Sequence, residues 1–375
     1  MYDRRKFISS PIKTSTGVIA LLPFLNNCGN TTPPAASGRT YAGIVVHPTN
    51  QFHCIGLYAM HRIILLCFIY LGINATTLSQ ELTVATFNAE FLNKKKIHVK
   101  YGKQFDLNRA GKKEQKFWNN DTNRTQKLRE ASANVARFIK EIKADILTLT
   151  EVGNAKDLEV LLKELGQIGV TYKYWEVCDC KDPFTGQHVA VFSKYPLKEV
   201  WPEIPGSAIY LEEADGDSER ETQISKGLKV TATIDEKDVD IFVFHLKSER
   251  GGYESDAQRI AQASIARRSI IQQINAGRKV IVTGDLNSEK GSTTLYRIRG
   301  FDDIYEELIQ TGHSRYFESM DVRWTYNYRG EPEQIDHILV SPGIAKRKGI
   351  QTRILETPDD TISDHNPVIV KLKLN

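Results

Sequence analysis

The chain has 375 residues, 41% of them hydrophobic and 26% charged, with a formal net charge of +4. That length allows one large or two ordinary domains, and the composition is that of a soluble globular protein. Residues 1–79 hold six of the 50 Lys and Arg (Arg4, Arg5, Lys6, Lys13, Arg39, Arg62) and one of the 46 acids (Asp3), so the remainder carries 44 basic and 45 acidic residues. Net charge therefore excludes itself as an argument for nucleic-acid binding; only a local patch could supply one.

The first segment reads as a leader. "DRRKFISS" followed by "GVIALLPFL" pairs arginines with an apolar run, like a twin-arginine export signal. Cys28 follows in "LNNC", which lacks the small residues of a lipid-attachment site, and "TTPPAASG" reads as a linker. Met60, His61 and Arg62 then precede "IILLCFIYLGI", short for a bilayer span and long enough for a signal-peptide core. Thr77 and Ser79 would suit cleavage before Gln80. The expected division is an upstream extension over residues 1–59, a signal peptide or uncleaved anchor over 60–79, and one exported domain over 80–375. In that domain Cys178 and Cys180 form a C-x-C pair, too few ligands for a structural zinc site; a local disulfide and two thiols both stay open.

In the domain, "ELTVATFNAEF" alternates and is β-branched, a strand ending near Asn88. Leu128, Val135, Phe138, Ile139 and Ile142 recur at helical spacing between Arg124 and Lys143. "ADILTLTEV" is a buried strand ending at Glu151, and "AKDLEVLLKELGQ" an amphipathic helix. "VTYKYWEV", "HVAVFSKYP", "LKVTATI" and "VDIFVFHLKS" are strands, the last ending at His245. "SDAQRIAQASIARRSIIQQINAG" is a helix with a Ser cap and a closing glycine. "VIVTGD", "EQIDHILVS" and "NPVIVKLKL" complete the strands. Many strands around few helices suggest two packed sheets with helices outside.

Polar residues collect at strand ends: Asn88, Glu151, His245, Asp285 with Asn287, Asp336 with His337, and Asp364 with His365. Converging on one edge, they would line a cleft of carboxylates, amides and imidazoles. That donor set suits a hard divalent cation acting on phosphate, with Asn and His⁺ stabilising charge on an in-line displacement. His337 is read as structural.

The ordered motifs "TFNAEF", "LTEV", "FHLKS", "GDLNS", "QIDHILVS" and "SDHNPV" resemble the endonuclease/exonuclease/phosphatase superfamily, the deoxyribonuclease I-like phosphoesterases, from about residue 83 to 374. "FHLKSERGG" and "QIDHILVS" look most like bacterial secreted or periplasmic nuclease-like members. The resemblance implies an α+β fold, a four-layer α/β/β/α sandwich of two mostly antiparallel sheets. It further implies Mg²⁺ (with Mn²⁺ or Ca²⁺ as alternatives) positioned by Asn88 and Glu151, with Glu90 close by and Asp364 supporting metal or water. Asp285 would orient or deprotonate the attacking water, Asn287 hold water and phosphate, and His365, held by Asp336, contact the scissile phosphate. His245 would act as general acid or phosphate donor; which group moves the proton stays open.

For a nucleic-acid substrate, DNA or RNA, the segment "NKKKIHVKYGKQFDLNRAGKKEQKFWNND" interleaves Lys94, Lys95 and Lys96 with aromatics including Trp118, as a phosphate- and base-contacting loop would. Lys247 and Arg250 follow His245, and Trp324, Tyr326 and Arg329 stand near the same rim. The alternatives are a phosphomonoesterase, a sphingomyelinase-like lipid phosphodiesterase, or an inactive binding module. No protein partner is indicated.

Overall fold

Alternation of apolar side chains decides which face each strand buries, and here both faces are apolar. In β1 (Glu81–Leu92), Leu82 and Val84 point one way while Ala85 and Phe87 point the other, and all four are fully buried. A strand buried on both faces belongs to an inner layer.

The computed structural model describes residues 81–212, 219–300, 308–317 and 322–374. The expectations for the leader, residues 1–79, lie outside the described residues. After β1 come two short helices, α1 (Ile97–Lys100) and α2 (Lys112–Trp118), the long α3 (Asp121–Ile142), β2 (Ile146–Val152) and α4 (Ala155–Gln167). Strands β3 (Tyr174–Val177), β4 (His188–Ser193), β5 (Leu197–Trp201), β6 (Ser207–Glu212), β7 (Glu219–Gln223), β8 (Gly227–Ile234) and β9 (Lys237–His245) lead to α5 (Gly252–Asn275). The chain continues through β10 (Lys279–Asp285), α6 (Thr293–Arg299), β11 (Ile309–Gln310), the hairpin of β12 (Tyr326–Tyr328) and β13 (Glu331–Glu333), β14 (Asp336–Val340), β15 (Ala345–Ile354) and β16 (Val368–Leu374).

Two six-stranded sheets form, in the orders β15-β16-β1-β2-β4-β3 and β11-β14-β10-β9-β8-β5. Each is mostly antiparallel with one parallel pair at its centre, β1 with β2 and β9 with β10. The layer between the sheets joins Leu82, Val84 and Ile146 to Val230, Ile241, Val243, Ile281 and Ile338. On the outer face of the first sheet α3 and α4 pack against Phe87, Leu147 and Leu149. On the second, α5 and α6 cover Phe242, Phe244, Val280 and Val282. The result is the expected α/β/β/α sandwich, its layers held by side chains each contributing ~1.5–3 kcal/mol on burial.

Three local expectations need correction. β1 does not end near Asn88 but runs on through an irregularity in its pairing with β2, where Glu90 and Phe91 adopt positive φ. The basic segment after β1 is not a loop: it folds into α1 and α2. Trp118, expected as a stacking platform, is 4% exposed and packs edge-on to Phe117 beside Tyr101 and His98. Its size makes it core, leaving no open face for a base. Cys178 and Cys180 are joined as a disulfide. Among the described residues no helix is long and apolar enough to cross a membrane.

Candidate active site

The same alternation that builds the inner core delivers the polar residues to its end. On β9, His245 shares the face of Ile241 and Val243; on β10, Asp285 shares that of Ile281; on β14, Asp336 shares that of Ile338 and Val340. The register places these three side by side, Asp285 paired with His245 on one flank and with Asp336 on the other. Across the gap Asn88 continues the face of Leu82 and Val84, and its Nδ2 donates to Asp285 Oδ2 at 3.0 Å. Glu151 has the opposite parity on β2, but its positive φ of 58° turns it back, and its Oε2 accepts from Phe91 N–H at 3.1 Å. At Gly284 an added Cβ would stand 2.0 Å from the Phe244 carbonyl oxygen, and φ is +123°. Only glycine lets β10 approach β9 closely there and aim Asp285 inward.

His365 Nδ1 lies 2.7 Å from Asp336 Oδ2 and donates to it, which leaves Nε2 toward Asp364 Oδ1 at 3.9 Å. Burial alone would lower the His365 pKa, but Asp336, Asp364 and Asp285 overcome it and raise it well above 6.5. His245 is pushed the other way: burial, then the positive charges of Lys226 and His365, hold it well below 6.5. The two imidazoles therefore differ in charge at neutral pH. His337 donates from Nε2 to the Ser288 carbonyl at 2.8 Å and is a satisfied core residue.

The carboxylates crowd. Burial, then Asp336, pushes Asp285 up to about 7; burial, then Asp364, pushes Glu90 up to about 8; the same two causes raise Glu151. Ligand atoms of Glu151, His245 and Asp285 lie within 4.8 Å of one another, as do those of Asp285, Asp336 and His365. The His245 Nδ1 and an oxygen of Asp336 are buried without a hydrogen-bond partner. Clustered, mutually repelling oxygens fit a hard divalent cation, whose charge would reverse these shifts. Asn88 Oδ1 accepts from Glu90 N–H at 2.9 Å and keeps a second lone pair. Asp364, 43% exposed at its side chain, stands on the open side. Asn287 is buried, its N–H donating to Asp285 Oδ1 at 2.9 Å and its Nδ2 to the Leu246 carbonyl at 3.1 Å.

Of the expected substrate contacts, Lys247 is half-buried directly after His245, and Arg250 hydrogen-bonds the hydroxyl of Tyr326. Tyr326 in turn stacks on the His365 ring with centroids 4.7 Å apart. Arg329 is exposed at the β12–β13 turn, over the Tyr328 ring. The three lysines are committed locally: Lys94 to Asp121 at 2.8 Å, Lys95 to the Pro183 carbonyl, and Lys96 to the Phe105 carbonyl at 3.1 Å. Lys94 and Lys95 line, with Arg124 and Lys156, a groove of about 610 Å³ beside the carboxylate rim.

Sequence reasoning missed three members of the site. Ser363 donates from Oγ to the Asn88 carbonyl at 2.7 Å and accepts from His365 N–H at 3.0 Å, tying the last motif to the first. Lys226 Nζ donates to Gln187 Oε1 at 3.1 Å and bears on both Glu151 and His245. Lys100 is buried against Glu90. Ser363 adjoins Asp364 and could have been suspected; nothing local distinguishes the two lysines from surface ones.

A carboxylate- and imidazole-lined rim at the end of a four-layer sandwich defines a hydrolase of phosphate ester bonds. The chain matches the Endonuclease/Exonuclease/phosphatase family over residues 85–365 and belongs to it. An endonuclease/exonuclease/phosphatase family protein from Leptotrichia buccalis has a similar fold, with a TM-score of 0.50 at 13% identity over 78% of this chain and 100% of that one. Truncated TDP2 from Caenorhabditis elegans gives a TM-score of 0.47 at 14% identity, over 78% and 97% of the two chains. A beta toxin variant from Staphylococcus aureus with bound magnesium ions gives 0.48 at 15% identity, over 78% and 100%. No curated protein sequence matches the chain.

Proposed function

We propose that the protein is an exported, Mg²⁺-dependent phosphodiesterase that cleaves DNA or RNA. The observation that carries this reading is the in-register row of His245, Asp285 and Asp336, faced by Asn88, Glu151 and His365 from the other side of the rim. Mg²⁺, held by Glu151 with Asn88, Glu90 and Asp364 around it, supplies Lewis-acid stabilisation of the phosphate when bound. Asp285, fixed by donors from Asn88 and Asn287, orients the attacking water and takes its proton; a carboxyl poised near neutrality suits that task. His365, protonated and braced by Asp336, presents Nε2–H to the phosphate, while neutral His245 serves as a proton acceptor or hydrogen-bond partner. Two like groups pushed to opposite protonation states divide acid and base work. Arg250, held on Tyr326 beside His365, and Lys247 offer charge to a flanking phosphate, which favours a polymer. The Cys178–Cys180 disulfide suits an oxidising compartment, secreted or periplasmic, as does the leader-like sequence.

The purified protein should be assayed with Mg²⁺ and with EDTA on plasmid, single-stranded DNA, RNA, sphingomyelin and a phosphomonoester. Cleavage of a polynucleotide that stops in EDTA is expected. Turnover confined to sphingomyelin or to the monoester would replace the polymer reading with one of the alternatives.

A further inference from the structure

Lys100 is the least expected residue at the rim. Its side chain is 2% exposed, and lysine is almost never buried so completely without a partner. All three ammonium hydrogens have a destination: the Ala89 carbonyl at 3.0 Å, the Ile362 carbonyl at 2.6 Å, and Glu90 Oε2 in an ion pair at 3.7 Å. Ala89 lies between Asn88 and Glu90, and Ile362 immediately precedes Ser363, Asp364 and His365. The ammonium thus ties together two segments 262 residues apart from it and 11 residues apart from it, respectively the second and first halves of the rim. Held by two carbonyls, it cannot swing out to a substrate.

We propose that Lys100 is a positioning residue: a built-in cation that pins Glu90 and clamps the Asn88 and Asp364 segments, so that the rim takes a single divalent cation rather than two. The inference rests on the metal-dependent reading above. The physical reason is charge. Glu90 faces Asp364 and Glu151, and clustered carboxylates recruit cations until their repulsion is offset. A second divalent ion would need Glu90 as a ligand, and a fixed ammonium already stands against it. Arginine could keep the charge, whereas an apolar residue of similar length would release the carboxylate.

The test is titration calorimetry with Mn²⁺ on the full chain and its variants, with kcat on bis(p-nitrophenyl) phosphate in parallel. The native chain and Lys100→Arg should bind a single Mn²⁺, Lys100→Met a second one, and Lys100→Met/Glu90→Gln again a single one. Glu90→Gln alone, which leaves Lys100 unopposed, should weaken the first Mn²⁺ about tenfold through the unbalanced charge. That arm decides the matter if Lys100→Met does not fold. Native stoichiometry and affinity in Lys100→Met, a second ion persisting in the double variant, or unchanged affinity in Glu90→Gln would each overturn the proposal. A native chain that binds no divalent cation would instead defeat the metal-dependent reading itself.

Discussion

Asn88 of one sheet donates its amide hydrogen to Asp285 of the other at 3.0 Å, the bond that joins the two layers where their apolar filling gives way to the site. Removing it in Asn88→Ala frees an oxygen of the carboxylate assigned to the attacking water. A hydrogen bond to a charged group is worth about 1.5–3 kcal/mol. Urea unfolding should show a loss of that order, and kcat should fall while the far-ultraviolet spectrum stays native.

Asp285→Asn preserves shape and removes the proton acceptor. Turnover of bis(p-nitrophenyl) phosphate should drop roughly 10²–10⁴-fold, the usual contribution of positioned general base catalysis. His365→Ala should fall at least as far. Wild-type turnover in either variant would remove that residue from the mechanism.

At Gly284 the backbone stands where a side chain cannot. Gly284→Ala forces the Phe244 carbonyl away from a methyl group built at 2.0 Å and strains a φ of +123°. A loss of roughly 3 kcal/mol or more is expected by denaturant unfolding. Activity should decline with it, because the next residue is Asp285.

The opposite end of the second sheet carries a pH prediction. Burial alone would raise the Asp240 carboxyl, but Arg278 at 2.9 Å, Thr231 at 2.6 Å and Lys229 at 3.2 Å outweigh it and hold it below its ordinary 3.8. A carboxyl depressed in the folded state stabilises above its unfolded pKa, and that stability is lost as pH falls through the folded one. The Tm gap between native protein and Asp240→Asn, which unpairs a buried cation at a cost of about 3–5 kcal/mol, should be full at neutral pH. It should shrink below pH 3.8. A gap that stays constant into strong acid would contradict the assignment.

Substrate length can be tested at Arg250. Arg250→Ala should lower the slope of log affinity against log salt for a polynucleotide by about 1, with little effect on a small phosphodiester. Equal losses on both substrates would place Arg250 in the chemistry rather than in polymer binding.

Much of this was legible in the sequence because alternation carries two messages. The residues that make β9, β10 and β14 inner strands also fix the parity of His245, Asp285 and Asp336, so strand-end polar residues announce a shared face. Glu151 breaks that parity and reaches the rim only through a left-handed backbone, which no pattern of side chains reveals. The segment containing Lys94 and Trp118 misled for a related reason. Charge and aromatic content resemble a binding loop whether the rings face water or core, and tertiary packing decided for the core. Lys100 was hidden because a buried lysine and an exposed one are spelled alike.

The central claim is that Asn88, Glu151, Asp285 and His365 surround one cation-dependent phosphate site. Anomalous diffraction from crystals soaked in Mn²⁺ addresses it directly. The account requires a peak within coordination distance of the Glu151 carboxylate, at the rim shared with Asp285. A saturating soak that leaves the rim bare, or that labels a different face of the sandwich, would contradict it.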